Sequence, residues 1–386
     1  MKENKFSKLT SKNNSNSGSK KDSNIDKTKQ IERVITHEGR FHTDEIFAIA
    51  ILKDLFPETM ELKDGTTASY IKYLRTRDEK ILSEALESDE SILVDVGADY
   101  DPEYFNFDHH QNSISAGARE NGIFYASAGL IWKHYGKEWI RYTNTHLRHA
   151  QLSDNDIHQI WNMMDKNYVQ FIDGNDSGQL RDVAYKTKDG REVKAGQFSL
   201  SAIANLFCVD NRDGKSLDEK FNSAVEVFRT LALSMFNKFV DTIEGFKKFD
   251  ISKCEFSNKG KTLIFKEYLP TAVVYSVIND NEKFKDVEFY AVPNKEYGFG
   301  IYPAPIEKGG REYRNPNMIP KELRVGKNFL SIKNNEKFKS ENIAKYDEIL
   351  DFIDKMFYCS PSGYMASCKD QGTAEKFLNY CIGSEY

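Results

Sequence analysis

Residues 33–45 read RVITHEGRFHTDE, a short apolar run that gives way to histidines and carboxylates. The run at 33–36 predicts a buried β-strand that ends at His37. After a short loop, Thr43 is the predicted N-cap of a helix that continues to about Phe56, and the acidic residues beside it suit the positive helix start. This stretch therefore predicts a strand-to-helix turn that carries potential metal ligands.

A second strand signal lies at residues 91–97, SILVDVG, and it also stops at an acidic residue, Asp95. Strand and helix patterns alternate from 31 to 178, which predicts an α/β domain with a mostly parallel sheet. Ligands of such sheets bind beyond the carboxyl ends of the strands, where His37 and Asp95 both fall. The two stretches therefore predict a single site at one edge of the sheet.

The length of 386 residues predicts two domains. We expect a disordered tail at 1–30, which is rich in Lys, Ser and Asn, then the site-bearing domain at 31–215 and a linking helix at 216–249. Strand patterns near 261–265, 287–292 and 299–302 and helix patterns near 343–356 and 371–382 follow. They predict a smaller C-terminal α/β domain at 250–386.

Composition and charge narrow the function classes. Residues 1–30 contain eight Lys and three acidic residues, which give this segment a formal charge of +5. Because the formal charge of the whole chain is −5, the remaining residues carry −10. That acidic body argues against a large non-specific DNA-binding face. The five cysteines have no C-x-x-C spacing, which argues against a zinc knuckle and a disulfide framework. Neither an apolar run of about 18 residues nor a secretory signal is present, so we expect an intracellular protein without a membrane span.

The chemistry-bearing residues form two short motifs. His37, His42 and Asp44 fall within eight residues, and Asp108, His109 and His110 stand in a row, with Asp95 between the motifs. Imidazoles and carboxylates without a thiolate suit Mn²⁺, Mg²⁺, Co²⁺ or Zn²⁺. One tetrahedral ion would not use so many ligands, so we expect two ions bridged by a carboxylate, as in two-metal phosphoesterases. The other histidines are predicted to have surface or packing roles: His134, His146, His149 and His158.

The order of these motifs resembles that of the DHH phosphoesterase superfamily: His-x-x-x-x-His-x-Asp, a strand-terminal Asp, Asp-His-His and Asp-Ser-Gly. More closely, the chain resembles the MYG-type (melanocyte-proliferating-gene) exonuclease family. The stretches that carry this resemblance are THEGRFHTDE at 36–45, RTRD at 75–78, VDVG at 94–97, YDP at 100–102, FDHHQ at 107–111 and SAGLI at 127–131. Weaker matches continue to the C-terminus.

The resemblance implies a DHH-like N-terminal domain and a C-terminal substrate-binding domain. It implies that His37 and His42 hold one metal, that Asp95 bridges two, and that Asp44, His109 and Asp176 complete the second. Asp108 and His110 would orient ligands or face the phosphate. The catalytic residues are thus expected to be Asp95, Asp108, His109 and His110. Asp173 competes with Asp176 for the last metal position, and Asp176 is preferred because Asp-Ser-Gly matches the superfamily's Asp-Thr-Gly.

The implied activity is manganese-dependent 3′-to-5′ hydrolysis of RNA, with Mg²⁺ or Co²⁺ as alternative ions. The substrate, RNA or a short oligonucleotide, would be bound by Arg311, Arg314, Arg324, Ser362 and Gly363. We expect a cytoplasmic location, with the nucleus and the mitochondrion left open, as is a homo-oligomeric state.

One departure from the family pattern affects the expected substrate. The family has glycines just after the last aromatic position, where a backbone can approach phosphate or sugar, but here Tyr364 is followed by Met, Ala and Ser. Two alternatives therefore stand beside the exoribonuclease: a phosphatase or pyrophosphatase that acts on a small phosphate compound, and a non-catalytic metal-binding regulatory protein.

Overall fold

The computed structural model describes most of the chain after the tail: residues 31–61, 67–110, 116–180, 184–194, 199–209, 212–296, 298–307, 310, 312–341 and 343–383. The tail at 1–30, which is predicted to be disordered, lies outside these residues. The chain divides into two compact units between Val240 and Asp241. This division falls within one long helix, Leu217–Lys248, so a single helix contributes to both units.

The first unit contains a five-stranded sheet and two hairpins. Its described strands are β1 (Arg33–Thr36), β2 (Thr59–Glu61), β3 (Thr67–Ser69), β4 (Lys72–Arg75), β5 (Ser91–Val94), β6 (Tyr100–Asp101), β7 (Asn106–Phe107), β8 (Ala184–Lys186) and β9 (Glu192–Lys194). The large sheet has the order β4-β1-β5-β7-β6, and only the β6–β7 pair is antiparallel. The predicted mostly parallel sheet is confirmed.

The register of this sheet places the two predicted motifs side by side. Thr36 of β1 pairs with Val94 of β5, so the residues that follow them, His37 and Asp95, leave the same edge of the sheet together. All four residues of β5 are buried, and the last three of β1 are as well. Consecutive residues are buried because both faces of these strands are covered, as is usual in a parallel sheet.

Helices cover the sheet of the first unit. They are α1 (Thr43–Leu55), α2 (Glu79–Leu86), α3 (Ser127–Thr143), α4 (Asp154–Met164), α5 (Gln170–Asp176), α6 (Leu200–Phe207) and α7 (Leu217–Lys248). Helix α1 is buried along nearly its whole length and packs closely against α3. The prediction that Thr43 is the N-cap of α1 is wrong by one residue, since His42 occupies that position.

The sequence pattern predicts a helix at 127–134 that ends at Gly136, but α3 does not end there. The helix continues to Thr143, and Gly136 lies buried within it. A Cβ atom at this glycine would lie 2.7 Å from Cδ2 of Trp132, so glycine here makes room for a fully buried indole ring. A packing requirement thus produced the pattern that resembled a helix end.

The helix predicted at 156–171 extends to Asp176. Helix α4 runs into a π-helical turn, Asp165–Val169, and then directly into α5. Asp173 and Asp176 therefore lie on a helix that continues beyond the predicted end. The wider π turn changes the direction in which the side chains of α5 point relative to those of α4.

The second unit is built around a six-stranded mixed sheet. Its described strands are β10 (Cys254–Ser257), β11 (Thr262–Phe265), β12 (Phe289–Pro293), β13 (Phe299–Pro303), β14 (Met356–Cys359) and β15 (Ala366–Cys368), in the order β10-β11-β12-β13-β15-β14. The helices are α8 (Thr271–Asp280), α9 (Leu330–Lys333), α10 (Glu336–Glu341), α11 (Ile343–Ile353) and α12 (Gln371–Gly383). Separate apolar clusters pack on α8 and on α11 with α12. The predicted C-terminal α/β domain is confirmed.

Within the residues that the structure describes, none of the helices has the length and apolarity needed to cross a membrane.

Candidate metal centre

The candidate centre begins where β1 and β5 end. Nε2 of His37 lies 3.3 Å from Oδ2 of Asp95, and both side chains are buried. The backbone of Asp95 has a φ of 56°, in the left-handed region that residues other than Gly, Asn and Asp rarely adopt. This backbone conformation is one of the strained arrangements found at functional sites.

The N-terminus of α1 adds a second group of side chains. Oε1 of Glu45 lies 3.1 Å from Nε2 of His37 and also accepts a hydrogen bond of 2.7 Å from the backbone N–H of His42. Asp44 is completely buried, yet neither of its carboxylate oxygens has a hydrogen-bond partner among the described residues. A buried carboxylate without such partners is unfavourable unless a cation compensates its charge.

The Asp108-His109-His110 motif follows β7 and supplies the third group. Nε2 of His109 lies 3.2 Å from Oδ2 of Asp176, 3.3 Å from Oδ1 of Asp95 and 3.7 Å from Oδ2 of Asp44. None of these approaches has hydrogen-bond geometry. Nε2 of His109 thus lies beside three carboxylates, a position from which it could bind a cation that they share.

Hydrogen bonds fix which nitrogen of His37 is free to bind a metal. Nδ1 of His37 lies 2.9 Å from the carbonyl oxygen of Glu38. A carbonyl can only accept, so Nδ1 carries a proton and donates, and Nε2, beside Asp95 and Glu45, is the nitrogen that could exchange its proton for a metal ion. Metal-binding histidines commonly use their second nitrogen in this way.

Asp108 orients His110 rather than joining the carboxylate cluster. Its Oδ1 accepts from the backbone N–H of His110 at 3.0 Å and from Nδ1 of the same residue at 2.7 Å, and its Oδ2 accepts from the N–H of Ala98 at 2.6 Å. The side chain of His110 is 59% exposed, and His42 is also exposed. Asp108 therefore holds a solvent-facing imidazole in place, and Nε2 of that imidazole stays available to a substrate.

The pKa values show how crowded the charges are. Burial opposes the charged imidazoles, but the neighbouring carboxylates outweigh it and raise the pKa of His37 and of His109 to about 10. Burial and the charges of Asp95 and Glu45 raise the pKa of Asp44 well above its usual value. Burial also opposes the charged form of Asp95, yet the two imidazoles lower the pKa of that carboxyl. Protonated imidazoles thus supply positive charge that a divalent ion would supply instead.

Three sets of side chains could each hold an ion, because the potential ligand atoms within each set lie within 4.8 Å of one another. They are His37, His42, Glu45 and Asp95; Asp95, His109 and His110; and His42, Asp44 and Asp176. Imidazole nitrogens and carboxylate oxygens are the donors that Mn²⁺, Mg²⁺ and Zn²⁺ take, so the residues fit such ions. Asp95 belongs to two of the sets, as the predicted bridging role requires. Asp108 belongs to none of them.

The structure separates the two candidates for the last ligand. Asp176 lies 3.2 Å from His109 and belongs to a ligand set, whereas Asp173 is completely buried and pairs with Arg119 at 2.8 Å. The preference for Asp176 agrees with this placement. The two residues are one turn apart on α5, and it is the carboxylate at the end of the helix, that of Asp176, that reaches His109.

Sequence reasoning missed two groups of the centre. Glu45 was interpreted only as an acidic residue at the helix start, although its carboxylate lies among the ligands. Ser127, the first residue of α3, places its Oγ 3.4 Å from Oδ1 of Asp95 and donates to the carbonyl of Phe107 at 3.0 Å. Ser127 belongs to the SAGLI stretch at 127–131, which matches the family pattern, but nothing in that stretch indicates a contact with Asp95.

The predicted substrate-binding residues lie in the second unit, except that Arg311 falls outside the described residues. Arg314 donates to four main-chain carbonyls, and Arg324 donates to the carbonyls of Ile319 and Asn317. Gly363 has a φ of 77°, and a Cβ atom there would lie 2.5 Å from Nε of Arg324. The Oγ of Ser362 is 2.7 Å from that of Ser360. These contacts hold the local fold, and a substrate-binding role stays a prediction.

Comparison with known proteins identifies the family. The family model MYG1_exonuc, described as "Uncharacterised protein family (UPF0160)", matches residues 33–329. The chain therefore belongs to this family, and the resemblance to the MYG-type family is confirmed. No solved structure shows a significant match to the chain.

Relatives in several eukaryotes match different lengths of the chain. The MYG1 protein of Saccharomyces cerevisiae is 26% identical over 307 residues, 77% of this chain and 84% of the yeast protein. The MYG1 exonuclease of Bos taurus is 32% identical over 204 residues, 51% of this chain and 47% of the bovine protein. The MYG1 exonuclease of Homo sapiens is 31% identical over 152 residues, 38% of this chain and 35% of the human protein. The matches to these two exonucleases thus span less than half of each relative.

Proposed function

We propose that the chain is a divalent-metal-dependent phosphodiesterase that removes nucleotides from the 3′ end of RNA, with Mn²⁺ as the preferred ion. The names of the bovine and human relatives support an exonuclease, and membership of the family connects them with this chain. The Asp108-His109-His110 motif beside a parallel sheet supports placement within the DHH superfamily.

One observation carries the proposal. Asp95 offers its two oxygens in different directions, Oδ2 toward His37 at 3.3 Å and Oδ1 toward His109 at 3.3 Å. Each imidazole belongs to a separate ligand set, and a carboxylate shared by two sets is the arrangement that a two-metal site requires. A single-ion binding protein would have no use for the second set.

The side chains around the cluster suit phosphate chemistry. When bound, a pair of divalent ions lowers the pKa of a water molecule and stabilises negative charge on phosphoryl oxygens. The hydrogen bond with Asp108 raises the pKa of His110, which favours the protonated imidazole. His110 can therefore donate to a phosphate oxygen or transfer a proton to the leaving oxygen, while Asp108 keeps its orientation.

The test uses the purified full chain with Mn²⁺. Single-stranded RNA and DNA oligomers, each labelled at the 5′ end, are incubated beside pyrophosphate and mononucleotides. We expect the labelled RNA to shorten one nucleotide at a time. Asp95→Asn should lose the activity, and Asp99→Asn, which changes an exposed carboxylate on the same loop, should retain it.

Other results would change or remove the proposal. Cleavage of pyrophosphate alone, with no dependence of KM on salt, would replace the nuclease with a small-phosphate hydrolase, since a polymer substrate makes salt-dependent backbone contacts. Cleavage of DNA in preference to RNA would overturn the substrate assignment. If no phosphate ester is cleaved, or if Asp95→Asn is as active as the parent, the hydrolase itself is ruled out.

A further inference from the structure

A buried carboxylate outside the ligand sets lies next to the candidate centre. Asp173 is completely buried, and its Oδ1 accepts a hydrogen bond of 2.8 Å from the backbone N–H of Gly129. Its Oδ2 forms an ion pair of 2.8 Å with the guanidinium of Arg119. Asp173 precedes Asp176 by one turn of α5, so its position and that of the ligand are mechanically connected.

Asp173 caps a helix other than its own. The N-cap residue of α3 is Ala126, whose side chain cannot accept a hydrogen bond from the first turn. Asp173 supplies that acceptor from α5 through the N–H of Gly129. A Cβ atom on Gly129 would lie 1.8 Å from Oδ2 of Asp173, so only glycine permits this approach.

Arg119 connects this carboxylate with the π turn. It donates to Oδ2 of Asp165 at 2.8 Å through Nε and to Oδ1 at 2.7 Å through Nη2, and its guanidinium lies 4.3 Å from the ring centre of Tyr125. Asp165 is the first residue of the π turn, and Asp173 is on the helix that follows it. One guanidinium thus fixes both sides of the turn that directs α5 toward the ligand cluster.

The helices joined by Asp173 each carry a group of the centre. At the start of α3, Ser127 lies 3.4 Å from Oδ1 of Asp95, and at the end of α5, Asp176 lies 3.2 Å from Nε2 of His109. The link between Gly129 and Asp173 therefore sets the distance between the element behind Asp95 and the element that presents Asp176.

We propose that Arg119 and Asp173 are positioning residues that hold Asp176 at the metal centre. The inference rests on the proposed function, because it assumes that divalent ions bind at the cluster. A purely structural ion pair would lower stability when broken but would leave the metal affinity of the folded protein unchanged. A positioning pair changes that affinity, since Asp176 would move relative to His109 and Asp44.

A second ion pair in the same unit, between the buried Asp54 and the partly exposed Arg229, provides a control. Asp54 accepts from Nε of Arg229 at 2.6 Å and from Nε1 of Trp139 at 2.7 Å, and it is 6% exposed. It belongs to none of the ligand sets among the described residues. Asp54→Asn therefore weakens a comparable pair without touching the helix that carries Asp176.

The experiment titrates Mn²⁺ into the full-length parent protein, Asp173→Asn, Arg119→Lys and Asp54→Asn by calorimetry, and it records the thermal unfolding of each. Groups that orient metal ligands typically change affinity about 10- to 100-fold when altered. We expect the Kd for Mn²⁺ to rise about tenfold in Asp173→Asn and less in Arg119→Lys, which retains a positive charge. Asp54→Asn should keep the parent's Kd while lowering Tm.

Each outcome has a definite meaning. The inference is overturned if folded Asp173→Asn and Arg119→Lys bind Mn²⁺ within twofold of the parent, or if Asp54→Asn weakens binding equally. If Asp173→Asn does not fold, the milder Arg119→Lys decides between the two readings. If the parent itself binds no Mn²⁺, the proposed function fails first and the inference fails with it, which distinguishes that result from loss of binding in the variants alone.

Discussion

Buried polar groups at the candidate centre of the first unit lack hydrogen-bond partners, whereas two arginines of the second unit have them. At the candidate centre, both oxygens of Asp44 and Nε2 of His109 lack hydrogen-bond partners among the described residues, although they are buried. In the second unit, Arg314 donates to four main-chain carbonyls, and Arg324 donates to two. The groups of the first set are placed to bind a cation, and the arginines of the second set stabilise the main chain around them.

This difference in hydrogen bonding favours the first unit as the location of the reaction site. Buried polar groups without partners cost free energy, and their persistence indicates a compensating ligand. Within the described residues, no Lys or Arg lies within ion-pair distance of Asp44, Glu45 or Asp95. A divalent cation would compensate these carboxylates. The NH groups of Arg314, by contrast, would have to leave the main chain before they could reach a phosphate.

The largest effect is expected at Asp44. Asn at this position removes a buried charge whose pKa is raised by burial and by Asp95 and Glu45, so the metal-free protein should become more stable. The Kd for Mn²⁺ should rise more than about 100-fold, roughly 3 kcal/mol, because an oxygen ligand is lost. Thermal unfolding with chelator and with Mn²⁺ measures both changes. A variant that is less stable without metal, or that binds Mn²⁺ as the parent does, would contradict this account of the cluster.

Arg314→Ala tests the other side of the comparison. Four main-chain carbonyls lose a donor, so the free energy of unfolding of the second unit should fall by about 2 to 3 kcal/mol. Denaturant unfolding measures this loss, with Lys327→Ala as an exposed control. An unchanged midpoint together with a raised KM for RNA would show that Arg314 binds substrate, as the sequence suggested, and that its main-chain contacts contribute little.

Glu45→Gln separates two roles of one side chain. Glutamine retains an oxygen that can accept from the N–H of His42, so the helix cap and the stability should survive. The negative charge facing His37 is lost, and we expect the Kd for Mn²⁺ to rise about tenfold, roughly 1.4 kcal/mol. Calorimetric titration of Mn²⁺ into the parent and into Glu45→Gln measures the two Kd values. Binding as tight as in the parent would leave Glu45 with the capping role alone.

The last prediction concerns the pH dependence of stability and His134, a histidine that lies outside the cluster. Burial and the charge of Lys133 lower its pKa from 6.5 to about 4, so the unfolded chain binds a proton here more readily than the folded one. The free energy of unfolding is therefore unaffected by this titration above pH 6.5, and it decreases as the pH falls from 6.5 toward 4. In His134→Gln, the decrease in stability between pH 7 and pH 4 should be smaller than in the parent by up to about 3 kcal/mol, since each unit of the difference between pKa 6.5 and pKa about 4 corresponds to about 1.4 kcal/mol. Parallel pH curves for the two proteins would show that His134 titrates normally.

Much of the centre could be predicted because its signals are local. The ends of β1 and β5 are visible as apolar runs that stop at His37 and Asp95, and the rule for parallel sheets brings such ends together. The Asp108-His109-His110 motif needs no tertiary information to suggest metal ligands. The predicted α/β organisation depended on the same alternation of short apolar strands and amphipathic helices.

The errors arose where one residue serves two purposes or where helix direction matters. Gly136 resembled a helix end, but it makes room for Trp132. Glu45 resembled an ordinary helix-start residue, because the capping role gives the same sequence pattern as a ligand would. No local pattern reveals that Arg314 donates to carbonyls of residues 278–287, since those contacts span about thirty positions of the chain.

The sequence by itself determined the types of ligand, their order along the chain and the edge of the sheet at which they gather, because strand ends and side-chain chemistry are properties of short segments. Only the tertiary structure decided between Asp173 and Asp176. Both are aspartates on one helical turn, and the π turn at Asp165–Val169 and the pairing with Arg119 set which of them faces His109. That choice depends on the direction of a helix and on partners more than forty residues away, which the residues around it do not encode.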